Sequence, residues 1–211
     1  MTIPEALLGF AVVAALLTVI PGLDTALVLR SSLTRSRPYA VSTALGIQFG
    51  VLVWGVAAAV GATALFAASE LAYDLLTLGG AIYLVGLGIW LLVSSFRRVE
   101  PAHADVPRLE PGLWRGWLTG AVTNLLNPKV GVFYLATIPQ FVPAGVSPLL
   151  MGVLLAGVHV VLGMTWFAGI ILGGGALGSR LGRPGFVRWI DRVTGGVLIG
   201  FGVKLALDAR V

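Results

Sequence analysis

Two charged side chains, Asp24 and Lys129, lie deep inside otherwise apolar segments of this 211-residue chain. A charge at the centre of a membrane helix costs roughly 2.5–3.5 kcal/mol on insertion scales, so each is expected to face the protein interior or water. Each lies within three residues of a proline, Pro21 or Pro128, and Gly22 follows the first of them. Because proline removes a backbone donor and frees the carbonyl one turn earlier, the sequence predicts a broken helix beside each charge.

Asp24 and Lys129 admit two interpretations. In the first they form a structural ion pair that merely neutralises both charges. In the second they face a cavity for a zwitterion, where Lys129 binds the carboxylate and Asp24 binds the amine. The two are compatible if the substrate displaces the pair. An isolated acid inside a membrane is also a candidate proton carrier.

Other polar side chains lie near these breaks or in neighbouring apolar segments. Asn124 and Asn127 flank the second break, and Asn127 is expected to line the site rather than cap the half-helix. Gln48 and His159 occupy matching positions in two other segments. They are weaker candidates, because a lone histidine in an apolar helix is more often a packing residue bonded to a neighbour.

The composition predicts an all-α integral membrane protein. Hydrophobic residues make up 57% of the chain and charged residues 11%, with a mean hydropathy of +0.97, whereas a soluble domain carries about 25% charged residues. Apolar segments near the length of roughly 20 residues that a bilayer requires predict six transmembrane helices. They are Ile3–Leu29, Tyr39–Phe66, Leu71–Val93, Trp117–Phe141, Leu149–Leu172 and Ile190–Leu207.

Arginines cluster in alternate loops between these segments. The loops after the first, third and fifth spans hold most of the 14 lysine and arginine residues, and the loops after the second and fourth hold none. Because basic loops stay in the cytoplasm, both termini are predicted to face outward. This placement accounts for the sequence pI of 10.2 without nucleic acid, which is not an expected partner. The first segment lacks a basic n-region and is interpreted as a retained span.

The two halves of the chain resemble each other. Each begins with a proline-containing span, and the glycine pattern of Gly79–Gly88 in the third span recurs at Gly195–Gly202 in the sixth. With three spans per half, the second half enters the membrane from the opposite side. Inverted repeats with broken helices are common among secondary transporters, which bind cargo near the midplane.

The predicted organisation is therefore two inverted three-helix repeats in which helices 1 and 4 are broken. Residues 1–96 form the first repeat, 97–115 a cytoplasmic linker and 116–211 the second repeat. In this arrangement Asp24 and Lys129 approach each other across the pseudo-two-fold axis.

Pairs of glycines four residues apart predict close contacts between helices. The pairs are Gly46/Gly50, Gly116/Gly120, Gly169/Gly173 and Gly196/Gly200. Glycine is common in membrane helices, so the pattern is weak evidence for any motion.

The motifs resemble those of the lysine-exporter (LysE/RhtB) family of bacterial amino-acid efflux proteins over nearly the whole chain. The resemblance rests on Pro21-Gly22-Leu23-Asp24 and Asn127-Pro128-Lys129, with support from Gly80–Leu84 and from Phe133 through Val142. The family's first motif usually has proline where this chain has Leu23, which relaxes one backbone constraint at the first break.

The resemblance implies export of an amino acid or close derivative from the bacterial cytoplasm, across the inner membrane, by proton antiport. It also implies that the motif positions matter most, namely Pro21, Gly22, Asp24, Asn127, Pro128 and Lys129. With one acid in the core, a neutral zwitterion is favoured over a dibasic substrate, which would need a second acid. Assembly into a homo-oligomer is left open.

Two other functional classes fit the sequence less well. A metal-ion transporter or channel of the same fold would need several oxygen ligands, usually more than one carboxylate, and Asp24 beside a lysine is a poor cation site. A membrane-embedded enzyme would need a nucleophile with a base, or clustered metal ligands, and the chain has no cysteine and only two histidines. No enzymatic activity, cofactor or bound metal is expected.

Overall fold

The computed structural model describes residues 1–20, 22–68, 70–96, 112–181 and 184–208. These residues form eight α-helices and one short 3-10 helix, with no strand among them. The predicted all-α class is confirmed.

Each predicted span coincides with one helix or with consecutive helices. The elements are α1 (Ile3–Val19), α2 (Leu23–Thr34), α3 (Arg37–Ala68), α4 (Glu70–Ser94), α5 (Leu113–Leu125), α6 (Pro128–Thr137), the 3-10 helix (Ile138–Phe141), α7 (Pro148–Leu181) and α8 (Pro184–Asp208). The largest difference from the prediction is at α7, which continues to Leu181 beyond the predicted Leu172. α8 begins more than a turn earlier than the apolar window, because charged residues occupy its first turns.

The first predicted span is broken. α1 starts with a capping box in which Thr2 and Glu5 bond each other's backbone, and it ends at Val19. α2 starts after Gly22, which adopts an extended conformation as its N-cap. The axes of the two helices differ by 55°.

The fourth predicted span is also broken, between α5 and α6. Leu126 leaves the helical region with φ −90° and ψ 3°, and Asn127 then caps α6. Pro128 occupies the first turn of α6, where its missing N–H costs nothing. The prediction of interrupted helices at both prolines agrees with these two breaks.

Three described helices contain stretches long and apolar enough to cross a membrane alone, in α3, α4 and α7, and the bent pair α1–α2 is a fourth. α8 and the pair α5–α6 correspond to the two remaining predicted spans. Most of the predicted linker, residues 97–111, lies outside the described residues. The division of the chain into two repeats therefore stays a prediction.

An aromatic core ties α6 to α1. The Phe10 ring lies 6.0 Å from that of Phe133 and 6.3 Å from that of Tyr134, and it meets the Phe141 ring edge-on at 5.7 Å. Phe10, Phe133 and Tyr134 are completely buried. Large apolar side chains elsewhere remain exposed, as expected for surfaces that face lipid.

Glycines let α3 approach α5 at backbone contact. A Cβ at Gly46 would collide with the carbonyl oxygen of Trp117, and a Cβ at Gly120 would collide with that of Thr43. Only helices whose contact positions lack side chains can pack this closely. This crossing fixes α5, and with it the second break, against α3.

Two other crossings use glycine from both sides. Between α3 and α7, a Cβ at Gly55 or Gly152 would lie 2.9 or 2.7 Å from the other's carbonyl oxygen. Between α4 and α8, the corresponding distances for Gly88 and Gly195 are 2.6 and 2.7 Å. α3 therefore packs closely against both α5 and α7, and α4 with α8 forms a second tightly packed pair.

The glycine pairs predicted from the sequence are correct in part. Gly46/Gly50 and Gly116/Gly120 lie at the α3–α5 crossing. The prediction of a close contact at Gly196/Gly200 is wrong, because no neighbouring atom in the described part of the chain lies within 4 Å of a Cβ at either position. Gly195 and Gly202 face α4 instead. Successive residues of a helix are rotated by about 100°, so glycines one or two positions apart face different sides. Gly169/Gly173 stays a prediction.

We expect Gly88→Ala to lower the melting temperature of the detergent-purified protein, because the added methyl meets the backbone of α8 and such overpacking costs about 1–3 kcal/mol. Gly86→Ala is the matched control, because Gly86 lies on the same helix and has no neighbour within 4 Å among the described residues. Equal melting temperatures for the two variants would contradict the close α4–α8 crossing.

Candidate functional site

A cavity lies where the two helix breaks meet α3 and α7. Its volume is about 40 Å³, room for a few water molecules at roughly 10–15 Å³ each. Its polar lining residues are Thr18, Asp24, Thr25, Gln48, Asn124, Asn127, Lys129 and His159. Its remaining lining residues are apolar or glycine, namely Leu17, Ile20, Gly22, Leu23, Ile47, Val51, Val130, Gly163 and Phe167.

Asp24 lies in the first turn of α2, where the positive end of the helix dipole favours a carboxylate. Its Oδ2 accepts hydrogen bonds from Asn124 Nδ2 at 2.8 Å and from Asn127 Nδ2 at 3.5 Å. Its Oδ1 is buried and has no hydrogen-bond partner. One carboxylate oxygen is therefore held by the second break, and the other remains available.

Lys129 lies in the first turn of α6 and reaches back to the first break. Its Nζ donates to the carbonyl oxygen of Leu17 at 3.4 Å. In a continuous helix that carbonyl would accept from the residue four positions later, but this residue is Pro21, which has no N–H. The ammonium thus bonds a carbonyl that the proline frees, as the sequence predicts.

Asp24 and Lys129 line the same cavity but form no ion pair with each other, since Asp24 is held by the two asparagines and Lys129 by Leu17. Their charges still attract each other through space. The structure thus shows two opposite charges at one cavity without a direct ion pair, and their role in binding a zwitterion stays a prediction.

The asparagines of the second break make different contacts. Asn127 Oδ1 accepts from the backbone N–H of Lys129 at 3.1 Å, which caps α6, while its amide nitrogen faces Asp24. Asn127 therefore lines the cavity and also caps α6, so the expectation that it would not cap the half-helix is wrong. Asn124 donates from its amide nitrogen to Asp24, and its Oδ1 is buried without a partner.

Gln48 and His159 approach the cavity from α3 and α7. The Gln48 side chain lies against Gly163, where a Cβ would be 2.5 Å from its Nε2, and its Oε1 is buried without a partner. His159 is 6% exposed, and its Nδ1 is 2.8 Å from the hydroxyl of Tyr134. The histidine therefore has the bonded neighbour expected of a packing residue and also lines the cavity.

The structure brings most of the predicted site residues to this one cavity. Those lining it are Gly22, Asp24, Gln48, Asn124, Asn127, Lys129 and His159. A Cβ at Gly22 would lie 3.4 Å from Lys129 Nζ, so the glycine leaves room for the ammonium. Pro128 begins α6, and Pro21 lies outside the described residues.

Sequence reasoning missed two aromatic partners of these groups. Trp54 on α3 donates from Nε1 to the carbonyl oxygen of Asn124 at 3.4 Å, four residues before Pro128. Tyr134 on α6 bonds His159. A tryptophan or tyrosine in an apolar span gives no signal of its own, because its ring fits a core equally well.

Sequence reasoning also missed a third charge. Asp191 on α8 is only 9% exposed, and its charge attracts that of Lys129. Asp191 is the second residue of the predicted span that begins at Ile190, beside Arg192, so it does not stand out as a charge deep inside an apolar segment. Arg192 turns away from it, donating to Ser95 Oγ at 3.2 Å and stacking 4.6 Å from the Phe96 ring centre.

No group of three or more histidine or acidic side chains among the described residues is close enough to hold a metal ion. The residues that line the cavity instead include Lys129, with its ammonium, and three residues with a buried oxygen that has no partner, Asp24, Gln48 and Asn124. Such a set of donors and acceptors is complementary to a small molecule that carries both charges.

Known proteins are similar in sequence to this chain over nearly its full length. The chain is 26% identical over 209 residues to the membrane protein YrhP of Bacillus subtilis, covering 97% of this chain and all 100% of that one. It is 29% identical over 189 residues to the threonine efflux protein of Escherichia coli K12, covering 89% and 91%. It is 26% identical over 200 residues to the homoserine/homoserine lactone efflux protein of Salmonella typhimurium, covering 94% of each.

No solved structure matches the chain significantly. The sequence model of the LysE type translocators matches residues 15–209. The resemblance predicted from the motifs is thus confirmed, and with it the expectation of a transporter rather than an enzyme. The chain belongs to the LysE type translocator family.

Proposed function

We propose that this protein exports a small neutral amino acid from the bacterial cytoplasm by proton antiport, through the cavity between the two helix breaks. The observation that carries the proposal is the composition of that cavity. The residues that line it include Lys129 and three residues with a buried oxygen that has no partner, Asp24, Gln48 and Asn124. A zwitterion supplies the matching carboxylate and ammonium.

The three oxygens form the site for the ammonium group of the cargo. Asp24 Oδ1 carries the charge, and the amide oxygens of Gln48 and Asn124 add neutral acceptors. An ammonium has three N–H donors, as many as these three residues have unpaired oxygens. A buried acceptor left without a donor costs about 1–3 kcal/mol, which favours binding of a group that supplies the donors.

Lys129 binds the carboxylate of the cargo. Its present partner is a neutral carbonyl at 3.4 Å, a long contact for a charged donor. A carboxylate forms a shorter and stronger bond with an ammonium, so cargo displaces Leu17 from Lys129. Asp24 stays bonded to Asn124 through its other oxygen during the exchange.

Asp24 also carries the coupling proton. It is the one acid among the described residues that line the cavity. Cargo ammonium and a proton compete for the same oxygen, since both need the Oδ1 lone pairs. This competition makes binding of one release the other, which is the requirement for antiport.

The names of the relatives fit a small neutral cargo. The Escherichia coli relative is a threonine efflux protein, and the Salmonella relative is a homoserine/homoserine lactone efflux protein. Threonine and homoserine carry one ammonium and one carboxylate, as the cavity requires. A metal-ion substrate is less well supported, because the cavity presents one carboxylate beside an ammonium.

We infer six membrane spans in two inverted repeats, with both termini outside the inner membrane. α3 packs against α7 and α4 against α8, which are the helices that the repeat would make equivalent. The carbonyl four residues before each proline accepts from a remote side chain, Lys129 at the first break and Trp54 at the second. A two-fold relation between the halves accounts for the pairing of α3 with α7 and of α4 with α8.

We expect Asp24→Asn to abolish the acceleration of threonine transport by a pH gradient, because an amide cannot exchange a proton with cargo. The measurement is uptake of labelled threonine into proteoliposomes with and without an imposed gradient. Glu5→Gln is the control, since it removes an exposed acid and keeps the capping box. Undiminished gradient-driven transport by Asp24→Asn would remove Asp24 from the coupling mechanism.

The predicted orientation is testable because the chain has no cysteine. Single cysteines at Ser36, between α2 and α3, and at Ala144, between the 3-10 helix and α7, should lie on opposite sides of the membrane. We expect a membrane-impermeant maleimide to label Ala144→Cys in intact spheroplasts and Ser36→Cys only after permeabilisation. The reverse pattern would show that the termini face the cytoplasm.

A further inference from the structure

Tyr134 and His159 form a buried pair at the edge of the cavity. The Tyr134 hydroxyl and His159 Nδ1 are 2.8 Å apart, and the two rings are nearly parallel, with an interplanar angle of 13°. Tyr134 is fully buried and His159 is 6% exposed. Of the two residues, only His159 lines the cavity.

The burial of Tyr134 determines which atom carries the proton in this bond. A neutral phenol has one O–H, and leaving it unbonded in the core costs about 1–3 kcal/mol. If Nδ1 were the protonated nitrogen, it would donate to the phenol oxygen and leave the phenol O–H without an acceptor. The bond is therefore satisfied when Tyr134 donates to an unprotonated Nδ1.

An unprotonated Nδ1 places the ring proton on Nε2 in the neutral imidazole. The ring stays neutral in this arrangement, because a protonated imidazole would offer Tyr134 an N–H in place of the lone pair. The ammonium of Lys129 also repels a second positive charge on the ring. Nε2 is then the ring nitrogen that remains to donate to a molecule in the cavity.

We propose that Tyr134 is a positioning residue that holds His159 as a neutral Nε2–H donor, and that this donor joins Lys129 in binding the cargo carboxylate. The inference deepens the proposed function and rests on it for the identity of the cargo. Asp24 and His159 then have different roles in the cavity. Asp24 exchanges the coupling proton, whereas His159 keeps the proton on its Nε2. A carboxylate with four lone pairs accepts from both donors at once.

The first experiment measures the tautomer directly. The chain has two histidines, so a His103→Gln background leaves His159 as the only one. We expect nuclear magnetic resonance of the purified protein with ¹⁵N-labelled histidine to show a protonated Nε2 and an unprotonated Nδ1. We expect Tyr134→Phe to populate the other tautomer. A protonated Nδ1 in the parent protein near neutral pH would overturn the proposal.

The second experiment measures transport. We expect Tyr134→Phe to raise the KM for labelled threonine several-fold with little change in kcat, because the aromatic contacts are kept while the tautomer is no longer fixed. His159→Leu should raise KM roughly tenfold or more, the effect of losing a hydrogen bond to a charged group. His159→Gln, whose amide nitrogen donates from a position similar to that of Nε2, should restore most of the loss.

Tyr83→Phe is the matched control, because Tyr83 is half-buried on α4 and does not line the cavity. An unchanged KM in Tyr134→Phe would overturn the inference, and so would equal KM values in His159→Gln and His159→Leu. Neither result would contradict the proposed transport of threonine. If the parent protein transported no amino acid, the proposed function would fail, and the tautomer measurement would still test the Tyr134–His159 bond.

Discussion

The structure depends on how two interrupted helices satisfy their backbone inside an apolar environment. Hydrocarbon offers no hydrogen bonds, so each carbonyl freed by a proline needs a donor from the protein. Lys129 of the second break supplies that donor to Leu17 of the first, and the asparagines of the second break supply donors to Asp24. The two breaks therefore stabilise each other, and the polar groups left over between them form the cavity.

The surrounding helices keep this arrangement in register. Glycine crossings bring α3 into backbone contact with α5 and α7, so the helices that carry Gln48, Asn124 and His159 are held at fixed distances. The cavity of about 40 Å³ is smaller than an amino acid and must widen to accept one. In the proposed mechanism cargo replaces the Lys129–Leu17 bond, while the Asp24–Asn124 bond and the glycine crossings stay in place.

The sequence predicted the charged part of the site well because charge is rare in apolar segments. Asp24 and Lys129 stand out at once, and the prolines beside them predict both breaks. The partners of each charge were less predictable. Asn124 and Asn127 take the place of a direct ion pair, since one carboxylate oxygen reaches both amides.

Aromatic residues that would fit an apolar core equally well could not be recognised as site residues from the sequence. Tyr134 and Trp54 become informative only when their polar atoms are seen to bond His159 and Asn124. Asp191 was missed for a different reason, because hydropathy averaged over a window cannot distinguish a buried acid near a helix start from a loop charge. The number of spans rests on the lengths of the apolar segments and their orientation on the charge pattern of the loops, and both stay predictions.

The central claim is that Lys129 recognises the cargo carboxylate in the cavity that Asp24 shares. The most direct measurement compares equilibrium binding of threonine and threoninol, which lacks the carboxylate, by purified parent protein, Lys129→Met and Lys204→Met. The parent and the exposed-lysine control should prefer threonine by roughly 30-fold or more, the value of about 2 kcal/mol for a buried charge pair. In Lys129→Met the preference should fall to a few-fold. A preference as large in Lys129→Met as in the parent would contradict the account.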